Sequence, residues 1–227
     1  MALNRLIDAG IDARNPRTAS REMPRGALVS WHVVAFSLAS LGLFLGAVSQ
    51  LDPIVRWLWP IPVVLFVVYP YLKRFTWVCN LFVGLQLSII PLWIWIVFHD
   101  RFPDSVLLSY ALFIVAWGTG FEVIYAMADY AADREMGVHS IPVRFGLRGA
   151  YRIAVAAFAL ALAMIALCTR GLGATAASTG VVVLLGATFA AELWLARQGR
   201  YIQAAHVVNG AVSTLSMIAV LLAGGSA

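Results

Sequence analysis

Seven apolar runs dominate the chain, at about residues 28–50, 54–72, 77–98, 105–128, 150–169, 174–196 and 204–224. Each approaches the roughly 20 residues that a helix needs to cross a bilayer. Short junctions separate most of them: Gln50-Leu-Asp-Pro53, His99-Asp-Arg-Phe-Pro103, Arg170-Gly-Leu-Gly173 and Arg197-Gln-Gly-Arg200. Proline and glycine at such places stop helices. The pattern predicts an all-α, multi-span transmembrane helix bundle of about seven spans, forming a single domain over residues 1–227. The segment 129–149 is the longest expected loop between spans, and the tail Gly224-Gly-Ser-Ala227 is expected to fray. Residues 1–26 break the pattern: five arginines alternate with Asp8, Asp12 and Glu22. Pro16 and Pro24 prevent one long helix there, but a short helix fits residues 4–12.

Composition places this pattern in a membrane. The chain is 62% hydrophobic and 12% charged, against about 45–50% and about 25% in soluble domains. The net charge of +5 is not a nucleic-acid footprint, because the arginines sit between apolar runs. It is a topology signal: 13 of the 16 Lys and Arg residues fall on the side of the N-terminal segment. The positive-inside rule makes that side cytoplasmic. Trp57, Trp59, Trp77 and Trp194 near span ends fit interfacial belts, whereas Trp93, Trp95 and Trp117 lie deeper and suit packing. Cys79 and Cys168 have no CxxC partner and read as buried packing residues. His32, His99, His139 and His206 lack metal-ligand spacing, and His139 reads as a solvated loop residue.

Two acidic patterns stand out against the apolar background. Asp129 and Asp133 follow the fourth run, and Asn4, Asp8 and Asp12 repeat the same four-residue step near the start. Residues four apart share a helix face, and like charges there repel unless a counter-charge intervenes. That counter-charge is either nearby arginine, such as Arg134, or a metal ion. The charge count puts both patterns at one membrane face, which favours metal. Glu122, Tyr125, Asp129 and Asp133 form a single helical stripe, so Glu122 is expected in a pocket. Glu192 is expected to reach the cytoplasmic interface instead.

Mg2+ commonly binds one or two carboxylates together with substrate phosphates. Arg14, Lys73, Arg74 and Arg144 are candidates to neutralise the remaining phosphate charge. A polar cap of this kind over apolar helices suits a lipid diphosphate. A secondary transporter with intramembrane acids is the competing class, but here the acids gather at one face.

These residues resemble the motifs of the UbiA superfamily of intramembrane prenyltransferases. The first reads Asn4-Arg-Leu-Ile-Asp8-Ala-Gly-Ile-Asp12-Ala-Arg-Asn-Pro-Arg-Thr18, the second Tyr125-Ala-Met-Ala-Asp129-Tyr-Ala-Ala-Asp133. Between them lies Tyr69-Pro-Tyr-Leu-Lys73-Arg-Phe-Thr76. The resemblance implies a bundle around a central cavity, Mg2+, a polyprenyl diphosphate donor and an aromatic acid acceptor. It implies that Asp8, Asp12, Asp129 and Asp133 hold metal and diphosphate, with Asn4 assisting. Lys73 would contact diphosphate, and Tyr69 and Tyr125 would face substrate. His139-Ser-Ile-Pro-Val-Arg-Phe-Gly146 is similar to the quinone-forming branch, whose acceptors are 4-hydroxybenzoate (ubiquinone) or a dihydroxynaphthoate (menaquinone). It leans toward the menaquinone type. The setting implied is a bacterial inner membrane. The family pattern also implies two spans ahead of the first motif that this sequence lacks, so an inactive fragment is a further expectation to test.

Overall fold

A computed structural model of the chain describes residues 2–51, 53–99 and 101–224. The described residues form helices and no strand. In order these are α1 (Ala2–Asp12), α2 (Ser30–Val48), α3 (Pro53–Leu58), α4 (Pro60–Leu72), α5 (Cys79–His99), α6 (Ser105–Met127), α7 (Tyr130–Met136), α8 (Ile141–Gly171), α9 (Ala176–Arg197) and α10 (Tyr201–Gly224). Among the described residues, seven segments are long and apolar enough to span a membrane: α2, Val55–Leu72, α5, α6, α8, α9 and α10. The expected residues 225–227 of the tail lie outside the described part.

Helix α6 is the hub. Its flanks pack on α5 and α8, and α10 also reaches it. Small residues allow this closeness, as they do between membrane helices generally. A side chain built at Gly118 would lie 2.7 Å from the backbone of Gly84, and one at Gly84 would lie 2.3 Å from the Val115 carbonyl oxygen. Larger rings fill the other flank, where Phe158 of α8 stacks on Phe189 of α9 at 4.5 Å. Trp117 donates to the Asn209 side chain at 2.6 Å and ties α6 to α10.

Three expectations change. The segment 129–149 is not a loop: it holds α7 and the start of α8. Gly137 ends α7 at φ 70°, the left-handed conformation glycine favours. Ser140 caps α8 by accepting from Val143 N–H, and Pro142 sits at the tolerated start of the helix. Gly146 (φ 70°, ψ 167°) then breaks α8, separating a short first turn from the span. The second apolar run is likewise two pieces, interrupted at Trp59 before Pro60. Finally, Glu192 does not reach an interface; it is fully buried in α9.

Candidate active site

Helix α1 shows how the site is assembled. Its polar positions recur every four residues, so Asn4, Asp8 and Asp12 share one face. That face turns inward, burying Asp8 and Asp12. Arg74 donates to the Ile7 carbonyl at 2.8 Å and fastens α1 to the end of α4. The ends of α4 and α6, the start of α5, α7 and the link from Val138 to Ser140 close around it.

They enclose a cavity of about 150 Å³. Nine of the expected site residues line it together: Asn4, Asp8, Asp12, Tyr69, Lys73, Glu122, Tyr125, Asp129 and Asp133. Both acidic pairs therefore face one space. Arg14, Arg74 and Arg144 do not line it. Arg14 and Arg144 are exposed, and Arg74 is engaged with α1.

Other residues take the place of those arginines. Arg17 binds Asp129 through two of its nitrogens and donates to the Tyr125 hydroxyl at 2.8 Å. Its guanidinium also lies 4.8 Å from the Tyr125 ring centroid. Asn15 donates to Asp129 at 2.8 Å, and Arg21 pairs with Asp12 at 2.9 Å. Lys73 pairs with Asp8 at 2.5 Å. The Asn15-Pro-Arg-Thr18 stretch is the signal in the sequence: the turns that follow α1 hold Arg17 against Tyr125 and Asp129 at the end of α6. His139 is exposed as expected, yet it also lines the cavity beside Ser140.

Electrostatics distinguish the four aspartates. Asp8, Asp12 and Asp129 each carry a cationic partner, whereas Asp133 has none among the described ion pairs. Burial pushes the Asp133 carboxyl up to about 6, with Asp129 adding to the effect. Burial also raises Asp8, against the pull of Lys73. Conversely, the hydrogen bond to Asp129 holds Arg17 further into its charged form. Deeper in the cavity, the Tyr69 hydroxyl lies 3.4 Å from the Glu122 carboxylate.

The donor set fits a divalent ion shared with a phosphate ligand. Among the described residues, Asn4 Oδ1 and Asp8 Oδ1 are buried without a hydrogen-bond partner, and such acceptors are costly unless something satisfies them. Among the described residues, no three His, Cys, Asp or Glu side chains converge to hold a metal by themselves. A divalent ion held here would need oxygens from a ligand as well, as Mg2+ commonly takes from phosphates.

The sequence profile of the UbiA prenyltransferase family matches residues 1–223. A mitochondrial 4-hydroxybenzoate polyprenyltransferase of Arabidopsis thaliana is 33% identical over 144 residues, covering 63% of this chain and 35% of that protein. A 4-hydroxybenzoate octaprenyltransferase of Vibrio atlanticus is 29% identical over 168 residues, covering 71% of this chain and 58% of its own. The match thus spans 35% and 58% of these relatives, under two thirds of either. Among solved structures, the apo structure of a UbiA homolog from Aeropyrum pernix K1 superposes with a TM-score of 0.87 at 25% identity, over 98% of this chain and 83% of that one. A digeranylgeranylglyceryl phosphate synthase shares the fold, with a TM-score of 0.67 at 19% identity over 98% and 78%.

Proposed function

The chain belongs to the UbiA prenyltransferase family, and from that premise we propose that it transfers a polyprenyl group from a polyprenyl diphosphate to an aromatic acid, with Mg2+. The acceptor is 4-hydroxybenzoate or a dihydroxynaphthoate, and the product feeds ubiquinone or menaquinone formation. One observation carries the reading: two acidic pairs, Lys73, Arg17 and Arg21 line the same cavity at one end of an apolar bundle. This end is the cytoplasmic face on the charge asymmetry.

In the reaction, the bond between the first prenyl carbon and the diphosphate oxygen breaks, and the electron pair leaves with diphosphate. A ring carbon of the acceptor bonds to the allylic cation, and the ring then loses a proton to a base. Asn4, Asp8 and Asp12 would hold metal on one side and Asp129 and Asp133 on the other. Bound Mg2+ supplies Lewis-acid charge for the departing diphosphate. The chain's own part is to position and neutralise. Lys73, Arg17 and Arg21 rest on carboxylates and are placed to turn onto an incoming diphosphate, forming charge-assisted hydrogen bonds. The Tyr125 ring presents a face to the cationic carbon, and Glu122 with Tyr69 forms the polar floor. Apolar helices beneath exclude water that would quench the cation.

The test is direct. Membranes carrying the chain are incubated with labelled geranyl diphosphate, each acceptor in turn, and Mg2+ or chelator. The expected result is a labelled lipid-soluble acceptor that requires Mg2+ and falls by about 10²–10³-fold in Asp129→Asn. Ion flux without product would instead identify a transporter. A correctly inserted chain inert toward both acceptors would identify an inactive fragment.

A further inference from the structure

A second concave site lies outside the cavity. Arg148, Tyr151 and Arg152 of α8, Arg197 at the end of α9, Tyr201 at the start of α10 and Met127 of α6 line a groove of about 460 Å³. It opens at the membrane face that bears the acidic pairs, since Met127 closes the same helix that leads into Asp129. All three arginines are exposed. None forms an ion pair or a side-chain hydrogen bond among the described residues. No acidic residue lines the groove.

The charge placement is unfavourable as it stands. Arg148 and Arg152 are four apart on one helix face, where like charges repel. They also follow the break at Gly146, so both sit in the opening turns of the spanning part of α8. Positive charge is disfavoured there by the helix dipole. Arg197 brings a third positive charge from a different helix. Topology alone requires basic residues on this face but does not require them to converge. Tyr151 and Tyr201 add amphipathic rings of the kind that settle at headgroup depth.

We propose that this groove binds the phosphodiester headgroup of an anionic membrane lipid. The arginines engage the phosphate oxygens, the tyrosines pack at the glycerol level, and the acyl chains follow the apolar surfaces of α8 and α10. Basic pockets between membrane helices at this depth suit such headgroups. The lipid would pin α8 to the α9–α10 hairpin beside the acidic cavity.

Native mass spectrometry of the detergent-solubilised full chain, titrated with phosphatidylglycerol or phosphatidylcholine, tests this. Phosphatidylglycerol is expected to bind at least about tenfold more tightly, at roughly fivefold per arginine engaged. Arg148→Gln/Arg152→Gln/Arg197→Gln should abolish the preference. Arg25→Gln/Arg134→Gln/Arg200→Gln removes the same charge from the same face outside the groove and should preserve it. Should the first triple variant not fold, Arg148→Gln alone is expected to lower the affinity about fivefold. Equal loss in both triple variants would overturn the proposal in favour of diffuse surface charge. No preference in the unaltered chain would also overturn it. So would displacement of the lipid by millimolar inorganic phosphate, which would mark a site for free phosphate.

Discussion

Helices α2 and α6 have nearly the same hydropathy, 1.8 and 1.7, yet 11% of the first and 56% of the second is buried within the protein. The difference lies in position, not in apolarity: α6 packs between α5, α8 and α10, whereas α2 lies against α1. Helix α6 carries Ser109, Ala111, Ala116, Gly118, Thr119 and Gly120 on its buried faces. Helix α2 exposes Trp31, Phe36, Leu38 and Leu43, which suit lipid. Without a hydrophobic drive between helices in a bilayer, close packing decides which ones associate. The helix that packs best is also the one that carries Tyr125 and leads into Asp129. The site is therefore mounted on the most constrained element of the fold.

The sharpest consequence concerns Asp129. It accepts from both Arg17 and Asn15, so its removal frees a guanidinium as well as losing a proposed metal ligand. Asp129→Asn is expected to lower prenyl transfer by about 10²–10³-fold, the scale of losing one preorganised electrostatic contact. Steady-state rates with saturating Mg2+ would show it. Ser37→Ala on α2, which loses only a bond to the Val33 carbonyl of its own helix, should leave the rate unchanged. Equal effects would mean that α6 holds no special position.

Packing gives the next contrast. Gly118→Val forces a side chain against the Gly84 backbone at 2.7 Å, and backbone cannot yield as a flexible side chain would. Overpacking of this kind costs about 1–3 kcal/mol. Gly42→Val on α2 meets nothing within 4 Å. Thermal unfolding in detergent should therefore separate the two variants, with only the first losing several degrees.

A smaller effect follows from Asp133. Its carboxyl is raised to about 6 by burial, so the folded chain retains a proton that the unfolded chain releases near 3.8. Folded-state stability without metal should then fall as pH rises from about 4 to 6. Above pH 6 the ionised carboxylate is ready to bind a cation. Melting temperatures in chelator across this range would show the decline, and Asp133→Asn should flatten it.

The contrast also explains what the sequence could reveal. Spans were legible because bilayer thickness imposes their length. The acidic pairs were legible because a four-residue step fixes a helix face. Arg17 was not, because its pairing with Asp129 joins residues 112 apart in the chain. The same limit applies to Arg14 and Arg144: basic and adjacent in sequence, they project away from the cavity. Nor could the polar segment 129–149 disclose α7, whose seven residues are too few for a periodic signal and take their support from the neighbouring elements.

Glu192 tests the comparison from the opposite side. An acid within a membrane span is by default a functional suspect, and this one is fully buried. It does not line the cavity. Among the described residues neither carboxyl oxygen has a well-formed hydrogen bond, although Asn209 approaches closely enough to interact. Burial of an unpaired acid costs free energy whatever its protonation state. Glu192→Gln keeps the shape, carries no charge and adds donors toward Asn209. It is expected to raise stability by about 1 kcal/mol and to leave prenyl transfer intact. A collapse of activity with the fold preserved would instead bring the α9–α10 hairpin into the chemistry. The catalytic centre could then no longer be confined to the ends of α1, α4, α6 and α7.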